Sequence, residues 1–327
     1  MPKISIIIPA YNAADYIQVT LSSVLSQTFK DWECIVVDDC SLDATGQIVQ
    51  SYVQSDARFR YLLQQKNGGP AIARNTGIQE AQGDYLAFLD SDDTYEPAFL
   101  EKMLAAARLH HADVVWCNYQ EILGSSVVER HHQLSVFSPL QDHSALALFF
   151  HNPVGLGGMC NKIYRRSLLV EHHLLINPQR YHGEDWEFNL NVFKSHAIIV
   201  AIPDVLHNYI RQNVNSVVAS YHRVDWDNHV RSYRLLKSLS EEREIDYNVV
   251  DQNTQFIYIS IAFIVALFKS TLPDKNNEFN RIVADALFQK VISGSEYDEK
   301  KLPIRFRICF WLIRMKFHTL CRLFLQH

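Results

Sequence analysis

Hydrophobic and polar positions form a regular alternation of blocks over the first 120 residues. Short apolar runs, typical of strands covered on both faces, recur with amphipathic segments between them. This pattern predicts strands at residues 4–8, 34–37, 59–63, 85–89 and 114–117, and helices at 15–26, 43–53, 70–81 and 97–110. Strands that alternate with helices at this spacing indicate an α/β fold with a mostly parallel sheet flanked by helices.

The pattern changes beyond residue 120. Residues 121–160 carry loop signals, and helical periodicity returns later in the chain, at residues 222–270 and 279–292. We therefore predict an α/β domain at residues 1–220 and a helical C-terminal region at 221–327. The α/β domain is divided into two halves, at 1–118 and 119–220.

The longest uncharged stretch lies within the helical region, at residues 252–268. It begins with four polar residues and falls short of the about 20 apolar residues that a membrane span needs. We predict a buried helix there.

Polar side chains follow three of the predicted strands. Tyr11 follows the first, Asp39 follows the second, and Asp90 and Asp92 follow the fourth. Because the carboxyl ends of parallel strands share one edge, where open α/β sheets bind ligands, we expect one crevice. Two carboxylates one residue apart suit a hard divalent cation, Mg²⁺ or Mn²⁺, shared with phosphate oxygens. Acids after a strand also cap the next helix, a role open to Asp93.

Four segments in a fixed order resemble the inverting family 2 glycosyltransferases with the GT-A fold, of the bacterial polysaccharide or lipopolysaccharide type. The segments are IIIPAYN at 6–12, VVDDCSLDAT at 36–45, NGGPAIARNTG at 67–77 and FLDSDD at 88–93. The resemblance is strong over residues 1–120 and weaker over 155–220. It implies a Rossmann-like GT-A domain with a nucleotide-sugar half at 1–118 and an acceptor half at 119–220.

The resemblance also implies roles for individual residues of the nucleotide-sugar half. Tyr11 would stack on the base in a pocket shaped by Pro9, and Asp39 would hydrogen-bond the base. Arg74 would lie near the nucleotide. Asp90 would contact the ribose or diphosphate, and Asp92 would bind the metal. A tyrosine ring can stack on a base, and a carboxylate can accept the imide N–H of uracil. This chain has Cys40 where the family commonly has glycine.

A second polar cluster lies at residues 182–187. Inversion at the anomeric carbon needs a base that accepts the proton of the acceptor hydroxyl. The resemblance implies that Asp185 is this catalytic base, with Glu184 beside it, while His182 is a rival by chemistry alone. Arg211, farther along, has two possible positions, near the diphosphate or at the surface.

Charge is distributed unevenly along the chain. Of 31 Lys and Arg residues against 36 Asp and Glu, seven basic and no acidic residues lie in 300–327. Apolar and aromatic residues alternate with these cations, so this basic amphipathic tail suits an anionic membrane surface. The alternatives are a terminal helix packed on the domain or a dimer interface. The acidic body gives no indication of nucleic acid binding.

Cysteine usage and the N-terminus bear on location. The six cysteines have no CxxC pair and no zinc-site spacing, which predicts free thiols in a reducing compartment. The apolar run at residues 4–8 is too short for the core of a signal peptide. We expect a cytoplasmic protein, peripheral on the inner face of the cytoplasmic membrane.

Together the motifs predict a metal-dependent inverting glycosyltransferase. It would move a hexose or N-acetylhexosamine from a UDP-sugar to a glycan or lipid-linked hydroxyl in bacterial surface polysaccharide assembly, with Mn²⁺ or Mg²⁺ as cofactor. One alternative is a sugar-phosphate nucleotidyltransferase, although residues 9–12 lack the expected glycine-rich phosphate loop. The other is a non-catalytic module that binds nucleotide sugar or glycan.

Overall fold

A nine-stranded mixed sheet organises the first part of the chain in the computed structural model. The structure describes residues 2–131, 158–180, 183–211, 223–242, 249–270 and 272–326. The chain divides into two compact units, the first formed by Met1–Gln179 and Glu184–Asn213 and the second by Arg180–Gly183 and Val214–His327. The domain boundary predicted near residue 220 lies outside the described residues and stays a prediction, as does the division into halves.

The described elements of the first unit are nine strands and six helices. The strands are β1 (Ile4–Ala10), β2 (Trp32–Asp38), β3 (Phe59–Leu63), β4 (Tyr85–Phe88), β5 (Thr94–Tyr95), β6 (Val114–Leu123), β7 (Ser126–Arg130), β8 (Lys162–Arg165) and β9 (Ile199–Ile210). The helices are α1 (Ile17–Leu25), α2 (Thr45–Ser55), α3 (Pro70–Glu80), α4 (Phe99–Leu109), α5 (Arg166–Glu171) and α6 (Glu184–Lys194).

The strand order confirms the predicted fold class. It is β3-β2-β1-β4-β8-β6-β9-β5, with β7 paired to β6. The first four strands in this order are parallel, and β6 and β9 run in the same direction as they do. The described strands that run the opposite way are β5, β7 and β8.

The elements predicted over the first 120 residues are present, and the expectation of loops beyond them is wrong in part. β6 continues to Leu123 and is followed by β7, whose five residues are all exposed. An exposed hairpin has no buried face and therefore no apolar alternation along its sequence, which explains why the pattern did not reveal it.

Burial explains why the central strands are so apolar. All seven residues of β1 and all seven of β2 are buried, because helices cover both faces of the sheet. α3 packs so closely on β1 that a Cβ atom at Gly77 would lie 2.3 Å from Cγ2 of Ile7. This close approach fixes α3, which carries Arg74, against the centre of the sheet.

The second unit is helical, as predicted. Its described helices are α7 (Arg223–Glu242), α8 (Val249–Lys269), α9 (Lys275–Ala284), α10 (Ala286–Ser293), α11 (Ile304–Arg314) and α12 (His318–Gln326). α8 contacts all five of the others, and Ile257, Ile261 and Ile264 are fully buried. The predicted buried helix is therefore confirmed.

α8 is longer than its uncharged core suggested. Of the described helices, it alone has the length and apolar composition that a membrane span requires, and 44 % of that stretch is buried inside the protein.

The basic tail forms α11 and α12, and one face of each packs on this unit. Phe310 and Ile313 of α11 and Cys321 and Leu325 of α12 are buried in the apolar core of the unit. Packed terminal helices, one of the alternatives left open by the sequence, are therefore present in the tail.

Candidate active site

The carboxyl ends of three neighbouring strands meet at one edge of the sheet, as the sequence predicts. Ala10 at the end of β1 lies opposite Asp38 at the end of β2, and β4 runs parallel to β1 on the other side. Pro9 is buried within β1, paired with Val37, whereas Tyr11 directly after the strand is half exposed. A half-exposed aromatic ring at this edge is available for stacking.

Asp39 is buried and ties the end of β2 to the start of α3. Its Oδ1 accepts the amide of Gly68 (2.8 Å) and its Oδ2 accepts the amide of Gly69 (2.7 Å). Gly69 has φ +84°, a conformation that glycine adopts without strain. These two bonds hold the carboxylate in one orientation, and each oxygen retains a further acceptor position.

Cys40 has φ +66°, in the left-handed region. This backbone conformation is a physical reason to prefer glycine there, since a side chain is strained at positive φ. The Cys40 thiol donates a hydrogen bond to the carbonyl oxygen of Gln64 (3.1 Å). The turn after β2 is thus formed despite the missing glycine.

Arg74 joins the fourth strand end to the start of α6. Its Nη2 donates to Oδ1 of Asp90 (2.6 Å), and its Nη1 donates to Oε1 of Glu184 (3.2 Å). The arginine is buried, so both ion pairs are shielded from solvent on that side. Burial pushes the pKa of Asp90 upward, but the charge and hydrogen bond of Arg74, together with His207 and Cys160, hold that pKa below its ordinary value.

Asp185 lies beside this network, in the first turn of α6. Its Oδ1 accepts the amide of Trp186 (2.7 Å). Burial, and then the neighbouring charge of Glu184, raise the pKa of Asp185 from 3.8 to about 7, although the Trp186 amide and Arg74 oppose the shift. A carboxyl with a pKa near neutrality is suited to accept a proton in a reaction.

The turn that carries Asp90 and Asp92 is anchored on two sides. The Thr20 hydroxyl of α1 lies 2.9 Å from the carbonyl oxygen of Ser91 and 2.8 Å from that of Asp93. The carboxylate of Asp93 accepts the amide of Ile210 (2.9 Å) and pairs with Nε2 of His207 (2.9 Å).

The helix-capping role considered for Asp93 is therefore wrong. α4 starts later, with Ala98 as its N-cap residue, and the buried Asp93 side chain instead anchors β9. Burial raises the pKa of Asp93 to about 6, while its hydrogen bond to His207 opposes the shift.

Two sets of side chains near this turn qualify as metal ligands. The first set is Asp93, Cys160 and His207, which are buried. Among the described residues, their ligand atoms lie close enough to bind one ion, within 4.8 Å of one another. The thiol of this set is a soft ligand, suited to zinc and unsuited to Mg²⁺ or Mn²⁺. Asp92 is a hard oxygen ligand on the anchored turn, and Mg²⁺ is commonly held by one or two carboxylates plus phosphate oxygens. The chemistry of Asp92 therefore fits the predicted cation better.

Sequence reasoning missed two residues of β8, a buried lysine whose pKa is affected by the charge of Asp185 and a tyrosine that bonds the helix of Asp185. Lys162 is fully buried and donates from Nζ to Oδ1 of Asn161 (2.9 Å), and burial lowers its pKa to about 7. Asn189, one turn after Asp185, accepts the Tyr164 hydroxyl (2.6 Å). These residues lie within 155–220, where the family resemblance is weaker, and nothing in that stretch indicated a buried lysine.

Of the two remaining sequence-predicted positions, the structure places one at the surface and does not describe the other. Arg211 has a side chain 54 % exposed and pairs with Glu121 (3.4 Å), which places it at the surface. His182, the rival base, lies outside the described residues.

Comparison with known proteins supports the same fold and gives the family. Residues 5–172 match the description Glycosyl transferase family 2. The chain is 31 % identical to the putative glycosyltransferase EpsH of Bacillus subtilis over 303 residues, which is 89 % of this chain and 86 % of EpsH.

Two solved structures have similar folds. The crystal structure of Staphylococcus aureus TarS 1–349 in complex with UDP-GlcNAc aligns with 99 % of this chain and 90 % of that one, at TM-score 0.68 and 22 % identity. The mannosyltransferase PcManGT from Pyrobaculum calidifontis, in complex with GDP-Man and Mn²⁺, aligns with 99 % of this chain and 85 % of that one, at TM-score 0.51 and 15 % identity. With its GT-A fold and its match to EpsH, the chain belongs to the family 2 glycosyltransferases.

Proposed function

We propose that this glycosyltransferase is an inverting enzyme that moves a hexose or N-acetylhexosamine from a UDP-sugar to a hydroxyl of a glycan or lipid-linked acceptor. The observation that carries the proposal is the Asp185 carboxyl, whose pKa is about 7, beside Glu184 and near the strand end that carries Asp90. TarS, solved with UDP-GlcNAc, is named a poly(ribitol-phosphate) β-N-acetylglucosaminyltransferase. That name supports a UDP-sugar donor and assembly of a bacterial surface polymer as the setting.

The donor nucleotide binds at the carboxyl edge of β1 and β2. Tyr11 stacks on the uracil in a pocket shaped by Pro9, and Asp39 accepts the imide N–H of the base. Support comes from the half-exposed ring of Tyr11 and from the two glycine amides that fix the Asp39 carboxylate. A preorganised acceptor loses little entropy when the base binds.

Arg74 and Asp90 form the wall near the ribose and diphosphate. Arg74 fixes Asp90 and Glu184 through its two ion pairs. It therefore links the nucleotide-sugar side of the site to α6, the helix that carries Asp185. Nε of Arg74 is buried without a hydrogen-bond partner among the described residues. An oxygen atom of the UDP-sugar could accept a hydrogen bond from this N–H group.

Asp92 would hold a divalent cation, Mn²⁺ or Mg²⁺, on the diphosphate side of the site. When bound, such an ion supplies charge neutralisation to the departing diphosphate. The fit rests on the hard oxygen of Asp92 and on the anchoring of its turn by Thr20. The presence of Mn²⁺ in the PcManGT structure also supports it.

The chemical step is a single displacement at the anomeric carbon. The acceptor oxygen forms a bond to that carbon as the bond to the diphosphate oxygen breaks on the opposite face, which inverts the configuration. Asp185 receives the proton of the acceptor hydroxyl. A base with a pKa near 7 is partly ionised at neutral pH and still holds the proton that it takes, which is the balance that general-base catalysis favours.

The reaction takes place on the cytoplasmic side in this proposal. All six cysteines are free, as the sequence predicts, and this agrees with a reducing compartment.

Release of UDP from a panel of UDP-sugars, with Mn²⁺, Mg²⁺ or EDTA, tests the donor and the cation. We expect slow hydrolysis of one donor, silenced by EDTA. Asp92→Ala should abolish metal-dependent UDP binding in calorimetry, whereas Asp31→Ala, at an exposed acid before β2, should not. Wild-type protein that binds no UDP in the presence of either cation would overturn the donor assignment.

A further inference from the structure

α11 is apolar on two opposite faces. One face is buried in the second unit, and the other exposes Ile304, Ile308 and Trp311, a row that Met315 extends at the C-cap position. At about 100° per residue, these four positions fall within an arc of about 60° and so form one stripe along the helix. A helix of a soluble domain ordinarily presents polar residues on the face away from the core, so the stripe calls for an explanation.

The stripe continues onto α12. Leu320 and Leu323 are exposed on α12, and Phe317 is exposed in the junction between the helices, with the centroids of the Trp311 and Phe317 rings 6.0 Å apart. We name the combined set the tail surface. Its seven members are each between 41 and 69 % exposed: Ile304, Ile308, Trp311, Met315, Phe317, Leu320 and Leu323. A contiguous exposed apolar patch of this kind marks an interaction site.

The segment that forms the tail surface carries cations and no acid. Residues 300–327 hold seven Lys or Arg and neither Asp nor Glu. Lys301 pairs with Asp251 (2.6 Å), and within the described chain the other six have no carboxylate in ion-pair contact. By helix geometry, Arg305 lies on one flank of the α11 stripe, while Arg307 and Arg314 lie on the other.

We infer that the tail surface binds an anionic lipid membrane. Exposed apolar and aromatic side chains that are flanked by arginine and lysine match the boundary between acyl chains and anionic headgroups. A second copy of the chain fits less well, because a two-fold contact through this surface would bring each cluster of cations against its own equivalent. The inference is independent of the donor and of the catalytic base.

Vesicle flotation of the full chain tests the inference. The protein should float with vesicles of phosphatidylcholine plus phosphatidylglycerol, remain unbound to phosphatidylcholine alone, and be released by high salt. The double variant Trp311→Glu and Leu320→Glu should lose this binding. Leu109→Glu, at an exposed leucine of α4, is the matched control and should bind like the wild type.

A charge variant gives a second, independent measurement. Lys300→Gln with Arg305→Gln should weaken binding to anionic vesicles by on the order of 25-fold, since each cation near a membrane contributes about 5-fold. The control pair is Lys269→Gln with Lys290→Gln, which removes the same charge from exposed positions on α8 and α10. It should leave binding within about 3-fold of the wild type.

Three outcomes would overturn the inference. The first is equal binding to neutral and anionic vesicles, and the second is no binding to either. The third is a wild-type dimer that Trp311→Glu converts to a monomer without any lipid binding, which would assign the surface to a second copy. None of these substitutions touches the site of Asp185, so UDP release by the same variants should be unchanged. This measurement separates the test of membrane binding from the test of the proposed transferase activity.

Discussion

Asp185→Asn should stabilise the protein at the same time as it removes activity. The pKa of Asp185 rises from an ordinary value of 3.8 to about 7 on folding, mainly because the carboxyl is buried. Between these two values the folded state holds a proton that the unfolded state has lost. The free energy of unfolding therefore falls as the pH rises from about 4 to about 7. Above pH 7 the destabilisation by the ionised Asp185 carboxylate is fully present.

The magnitude follows from the size of this shift. About three pKa units correspond to about 4 kcal/mol. The residue as a whole keeps part of its solvent exposure, so solvent screening reduces the expected cost to about 2 kcal/mol. An amide of the same shape carries no charge and keeps the oxygen that accepts the Trp186 amide. The substitution should thus raise the free energy of unfolding by about 2 kcal/mol at pH 8 and by only about 1.4 kcal/mol at pH 5, where part of the wild-type carboxyl is protonated in both states.

Urea denaturation of wild type and variant at pH 5 and pH 8 measures both values. Glu171→Gln, at an exposed carboxyl at the end of α5, is the control and should change stability by less than about 0.5 kcal/mol at either pH. A variant that is less stable than wild type at pH 8, or a gain that does not shrink at pH 5, would show that burial does not destabilise the ionised carboxyl.

The remaining predictions concern stability and can be checked by the same denaturation assay. Arg74→Met should cost about 3 kcal/mol because it leaves Asp90 and Glu184 without their cation, and a loss under 1 kcal/mol would contradict the shielded pairing. Gly77→Ala should cost about 1–2 kcal/mol because its new Cβ would meet Ile7, whereas Gly294→Ala, with ordinary contacts, should be nearly neutral. Cys40→Val should cost about 2 kcal/mol at its positive φ, and Cys40→Gly should change stability by less than about 1 kcal/mol; equal effects would refute the strain argument.

The buried strands were the part of the fold most open to sequence analysis. β1 and β2 are covered on both faces, so each is an unbroken apolar run that needs no knowledge of its neighbours. β8 was missed because it is four residues long and begins with Lys162, whose burial depends on acceptors supplied by the fold. β9 was missed because Pro203 and polar residues interrupt its pattern.

The candidate site divides along the same line. The positions of Tyr11, Asp39 and Asp90 at one sheet edge follow from the strand ends, since parallel strands terminate together. The ion pair between Arg74 and Glu184 joins residues 110 positions apart, and the pKa of Asp185 is raised mainly by burial in the folded chain. Neither could be derived from local pattern. The roles of the individual site residues stay predictions.

The tail shows how a single pattern can serve two contacts. Its alternation of apolar and basic residues was interpreted as suiting either packing or a membrane, and α11 buries one apolar face while exposing another. Periodicity alone cannot assign the two faces, because both are apolar and only the arrangement of α8 decides which one is covered.

The pH dependence of UDP release by wild type and by Asp185→Asn tests the central claim most directly. With the preferred UDP-sugar and a saturating acceptor, wild-type kcat/KM should fall as the pH drops below about 7, because Asp185 takes up a proton. Asp185→Asn should lower turnover by about 100-fold or more and should leave UDP affinity within about 3-fold of the wild type. Near-normal turnover by the variant, or a wild-type rate that is flat between pH 5 and pH 8, would contradict the assignment of Asp185 as the base.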